Sequence, residues 1–141
     1  MLRTWHTVAL AVCVVGCGAA PAADAPPLSF SAAPAETVTS DGGGLRIEVR
    51  WSPETPVKGQ DAAQLRFLDA SGEVVDGLVV ETVPWMPAHG HGTSIQPVST
   101  PAGPGLVVAS PVDLYMSGEW QLRMTISGKV DDSAIATVQI P

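Results

Sequence analysis

Leu45-Arg46-Ile47-Glu48-Val49-Arg50-Trp51 alternates without a break between apolar and charged side chains. Successive side chains of a strand point to opposite faces, so Leu45, Ile47, Val49 and Trp51 share one side while Arg46, Glu48 and Arg50 share the other. A helix would scatter the same residues around its circumference; a strand with one buried face accommodates them. The pattern returns near the C-terminus, where Trp120, Leu122, Met124 and Ile126 alternate with Gln121, Arg123 and Thr125.

Between these two segments lie further strand signals. Gln64 to Asp69 alternates around Leu65 and Phe67, and Asp69-Ala70-Ser71-Gly72 supplies turn chemistry before a β-branched run from Val74 to Val83. Gly105 to Ser110 is apolar and bounded by Pro104 and Pro111, and Ala134 to Ile140 forms the last strand. The chain carries 13 prolines and 14 glycines, and no stretch shows a sustained 3.6-residue period. The expected fold is all-β, an immunoglobulin-like or cupredoxin-like antiparallel β-sandwich of about seven strands. Alternation reveals strand faces and not strand pairing, so a small open barrel is the competing topology.

The N-terminus reads as an address. Arg3, the apolar run Val8 to Gly16 and the small-residue stretch after it have the layout of a secretory signal. That run is too short for a transmembrane helix, which needs roughly 20 apolar residues. Val14-Val15-Gly16-Cys17 resembles a bacterial lipobox, with cleavage before Cys17 and lipid on its thiol. Ordinary cleavage after Ala20-Pro21-Ala22 is the competing reading and leaves no cysteine at all. On either reading Cys13 and Cys17 are unavailable to the folded domain, which excludes disulfides, thiol catalysis and thiolate metal ligation there.

The chain therefore divides into a signal peptide over residues 1–16, an Ala/Pro-rich flexible tether over 17–36, and one β-sandwich domain over 37–141. Loss of Arg3 with the signal peptide moves the formal net charge from −7 to −8, which makes nucleic acid an unsuitable partner.

Chemistry concentrates in Trp85-Met86-Pro87-Ala88-His89-Gly90-His91-Gly92-Thr93, which holds both histidines outside the leader together with a methionine. If this segment is extended, His89 and His91 project from the same face, with only Gly90 between them. Imidazole and thioether make a soft, uncharged ligand set suited to copper, Cu(I) above all. Two ligands rarely suffice. Met116, in the turn Tyr115-Met116-Ser117-Gly118-Glu119 that opens the Trp120 strand, is the best further candidate, whereas the parity of Met124 assigns it to the core.

The motifs Trp85-Met86-Pro87 with His89-Gly90-His91-Gly92, and Tyr115-Met116-Ser117-Gly118-Glu119-Trp120-Gln121-Leu122, resemble those of the YtkA-like domains of exported bacterial proteins, related in architecture to FixH-type proteins. The resemblance spans roughly residues 44–140. It implies an immunoglobulin-like sandwich tethered outside the cytoplasmic membrane and a role in copper handling or cytochrome oxidase assembly. It points to Met86, His89, His91 and Met116 as copper ligands, and to a membrane protein such as an oxidase or a copper transporter as partner. Many relatives carry another methionine where Ala88 stands, so this chain is expected to offer fewer ligands.

Two functions follow as expectations: a lipid-anchored copper carrier or chaperone, and a metal-free extracytoplasmic interaction module in which Trp85 matters more than the histidines. An enzyme is disfavoured. Ser94, His91 and Asp113 show no nucleophile elbow or oxyanion hole, the acidic residues form no acid-base pair, and a blue-copper site would need a cysteine thiolate.

Overall fold

The structure, a computed structural model, describes residues 27–141. The signal peptide, the lipobox with Cys17 and the first part of the expected tether lie outside the described residues. Nine strands follow one another: β1 (Glu36–Thr39), β2 (Leu45–Ser52), β3 (Gly59–Asp69), β4 (Leu78–Met86), β5 (His91–Gly92), β6 (Val98–Gly103), β7 (Leu106–Leu114), β8 (Gly118–Gly128) and β9 (Asp132–Ile140). No helix occurs among the described residues.

The strands form two antiparallel sheets, a five-stranded one in the order β1-β2-β3-β7-β6 and a four-stranded one in the order β5-β4-β8-β9. The sandwich expected from alternation is thus present. Its inner faces are the apolar sets read from the sequence: Leu45, Ile47, Val49 and Trp51 of β2 meet Trp120, Leu122, Met124 and Ile126 of β8 in one core, joined by Leu65 and Phe67 of β3. Met124 is buried, as its parity required.

Strand ends depart from expectation for identifiable reasons. The run from Val74 does not enter β4, because Val75 N–H donates to the Phe67 carbonyl at 3.0 Å and Val74 bridges Leu68, folding this stretch back on β3. β4 starts only at Leu78. β7 passes through Pro111 instead of stopping there: its register on β3 slips between the Val112↔Asp61 and Ala109↔Ala63 pairs, a bulge where proline needs no ladder hydrogen bond. β6 carries Pro101 beside a second slip and lies at a sheet edge. That composition, Val98-Ser99-Thr100-Pro101, hid the strand from an alternation search.

Residues 29–36, part of the expected tether, lie along β2. Ser29 N–H donates to Ser52 Oγ at 3.1 Å, Ala35 N–H to the Val49 carbonyl at 2.8 Å, and the Arg50 guanidinium reaches the Ala32 carbonyl. Composition argued against order here because the stretch has few apolar residues to bury. Hydrogen bonds to an existing strand edge supply the order instead. Glu36 then opens β1, and its carboxylate accepts from Thr137 N–H of β9 at 2.9 Å, closing that side of the sandwich.

The register fixes what gathers at one pole. Gly59 pairs with Leu114, Met86 with His91, and Gly118 with Ile140. The β4–β5 hairpin and the β7–β8 connection, which carry the two sequence motifs, therefore share an end of the sandwich with the start of β3 and the C-terminus.

Candidate metal centre

Met86 closes β4, and His91 opens β5 directly opposite it. Residues 87–90 make the turn between them: His89 N–H and Gly90 N–H both donate to the Met86 carbonyl, at 3.2 and 3.0 Å. Gly90 has φ +66°, a left-handed conformation that suits glycine and finishes the reversal. The segment is thus a hairpin and not the extended run that parity arguments assumed. His89 stands on the turn, His91 on the strand, and their rings still come within 5.6 Å between centroids, tilted by 53°.

Directly paired residues of an antiparallel ladder project to the same side, so His91 shares the face of Met86. That face is the core. Met86 is 2% exposed and belongs to the hydrophobic cluster. Its terminal methyl lies against Gly118, where an added Cβ would stand 2.6 Å from it. His91 is half-buried at the rim and His89 is exposed. The three residues descend from surface to interior within one turn of chain.

The second motif reaches the same place through Tyr115. Its hydroxyl lies 3.1 Å from His91 Nδ1, and its ring stacks on the imidazole at 6.1 Å and 13°. Tyr115 also packs edge-on against Trp120, at 5.4 Å between centroids. The Trp120 indole, fully buried, donates from Nε1 to the Met116 carbonyl at 3.0 Å. Met116 itself is half-buried and packs against the core cluster instead of standing free in solvent. All four expected ligands lie in the elements of one pole. Tyr115, a residue type outside the imidazole and thioether set, is the side chain that joins the two motifs.

His91 Nδ1 is occupied by the Gly92 carbonyl at 3.0 Å and by Tyr115, which leaves Nε2 as the nitrogen for a ligand. A metal-binding imidazole characteristically has its other nitrogen hydrogen-bonded in this way. Among the described residues no group of three His, Cys, Asp or Glu side chains could hold a metal ion. The thioethers in the elements of this pole are Met86, buried in the core, and Met116, packed against it; imidazole and thioether together are a donor set that suits soft ions better than hard divalent ones.

The surroundings separate the remaining candidates. Trp85 faces the opposite side from Met86, half-buried, with the Arg123 guanidinium 4.7 Å from its ring centroid. It belongs to the outer surface of the four-stranded sheet. Asp113 accepts from the Thr93 hydroxyl at 3.2 Å, so its partner is Thr93 and not Ser94. At the same pole, Asp61 of β3 is 3% exposed, and its Oδ2 has no hydrogen-bond partner. Burial pushes its carboxyl up to about 6, against a long hydrogen bond from Val57 N–H at 3.5 Å.

No curated protein and no solved structure matches the chain significantly. A model of the YtkA-like family matches residues 39–125, more than half of the 141 residues, from the end of β1 into β8 and across both motifs at the pole. With that match, and with the fold and motifs agreeing, the chain belongs to the YtkA-like family.

Proposed function

We propose that this protein is an exported copper-binding carrier, held to a bacterial membrane by lipid on Cys17, which takes up Cu(I) at the pole through His89 and His91 with thioether support from Met86 and Met116. The observation that carries this reading is the pairing of two imidazoles at a hairpin apex, one with its Nδ1 satisfied and its Nε2 open, directly opposite a buried methionine. No reaction is catalysed. An exposed His89 gives a partner direct access to the metal, as delivery to an oxidase or a transporter in the membrane requires. The Val14-Val15-Gly16-Cys17 motif supports placement at that membrane.

Copper is cargo in this reading, so its site has to release it. A shell without thiolate or carboxylate holds Cu(I) less firmly than a cysteine site would, and proton competition for imidazole weakens it further as pH falls, whereas thioethers do not protonate. Competition of the purified protein with a Cu(I) chelator tests the reading. Wild type should hold one equivalent, and the His89→Ala, His91→Ala double variant should lose at least tenfold in affinity. Equal affinity in the two proteins would overturn it.

A further inference from the structure

We infer that Tyr115 is a positioning residue that locks the His91 ring, fixing its proton on Nδ1 and turning Nε2 to the open side of the pole; its consequence for copper rests on the function proposed above. Two oxygen atoms surround His91 Nδ1. The Gly92 carbonyl, 3.0 Å away, can only accept, so a lone pair on Nδ1 would face another lone pair. A proton on Nδ1 removes that repulsion. The Tyr115 oxygen, 3.1 Å from the same nitrogen, accepts a share of this proton, and the tyrosine hydroxyl in turn donates to the Gly92 carbonyl at 3.4 Å. Nδ1–H, the hydroxyl and the carbonyl close a cycle with every donor and acceptor in its proper role. With the proton on Nε2, the carbonyl opposes the arrangement.

A carbonyl one residue along the chain selects the tautomer but does not stop the ring from turning. Tyr115 does that, because it is itself held. Its ring plane lies within 13° of the imidazole plane, with centroids 6.1 Å apart, its edge packs against Trp120, and Trp120 is fully buried and hydrogen-bonded to the Met116 carbonyl. The chain of contacts His91–Tyr115–Trp120–Met116 ties the hairpin to the β7–β8 connection without any metal. It gives the metal-free protein a prearranged Nε2 and so lowers the ordering needed on binding.

Tyr115 is 44% exposed, and Tyr115→Phe keeps both ring contacts while deleting only the hydroxyl. The experiment is long-range ¹H–¹⁵N correlation of the His91 ring in the metal-free protein at alkaline pH, for wild type and Tyr115→Phe, with backbone amide spectra checking that the variant is folded. Wild type should show a single Nδ1–H tautomer, and Tyr115→Phe should move both ring nitrogens toward tautomer-averaged positions. A wild-type Nε2–H tautomer, or identical ring spectra in the two proteins, would overturn the inference. Cu(I) competition on the same samples should show about a tenfold loss for Tyr115→Phe, the lower end for removal of a partner hydrogen-bonded to a ligand. Failure of wild type to bind copper would refute the carrier reading and leave the ring spectra to decide the role of Tyr115.

Discussion

Replacing Asp61 with asparagine should stabilise the domain at neutral pH and leave it little changed in acid. The Asp61 carboxyl is 3% exposed, lacks a partner at Oδ2, and is raised from 3.8 to about 6 by burial. The folded protein therefore binds the Asp61 proton more tightly than the unfolded chain. Its contribution to stability is full below pH 3.8 and is lost as pH rises toward 6. At about 1.4 kcal/mol for each tenfold change in acidity, the loss above pH 6 reaches about 3 kcal/mol. The substituted amide keeps an acceptor for Val57 N–H and carries no charge.

Other carboxyls act the other way and cancel in the comparison. Asp69 and Asp76 are held below the usual carboxylate range, Asp69 first by the Ser71 hydroxyl and Asp76 first by Gly105 N–H, and their stabilisation fades in acid in both proteins. Urea unfolding of wild type and Asp61→Asn at intervals from pH 4 to 7.5 isolates the term. The stability difference should grow by about 2–3 kcal/mol across that range, or roughly 4–8 °C in Tm for each kcal/mol in a domain of this size. A difference independent of pH would show that Asp61 does not hold its proton more tightly in the folded protein.

Met86→Leu preserves an apolar side chain of similar volume at a position 2% exposed, so unfolding should shift by less than about 1.5 kcal/mol, whereas Met86→Ala should lose about 2–5 kcal/mol in the same urea assay. An added Cβ at Gly92 would stand 2.7 Å from the Pro84 carbonyl oxygen, so Gly92→Ala should push β5 away from β4. Amide hydrogen exchange read by NMR should then show loss of protection at β5, with the β8–β9 ladder unaffected.

The strands that pack the core were legible because a sandwich writes its inner faces into the sequence with a period of two. β8 follows that rule throughout, and β2 departs from it only at Arg50, which is buried on the outer face where its guanidinium meets the Ala32 carbonyl. β1, β5 and β6 do not, since a four-residue strand, a two-residue strand and an edge strand with a proline have little or no buried face to record. The same limit applied at the pole. The two histidines and two methionines announced themselves by chemistry, but the depth of Met86 did not, because the apparent strand stopped at Pro84. Continuing the parity of Val80 and Thr82 across that proline would have placed Met86 inside. Tyr115 left no signal beyond its position beside Met116: its role depends on a 3.1 Å contact with a residue 24 positions away, and contacts of that kind are set by strand pairing.

The central claim is that two sequence-distant motifs meet on one copper ion. X-ray absorption of the protein loaded with one equivalent of Cu(I) counts the ligands directly. A single copper environment is expected, with imidazole nitrogen and thioether sulfur in the same shell, and fewer sulfurs in Met86→Leu. A shell of nitrogen and oxygen alone, unchanged by that substitution, would contradict it.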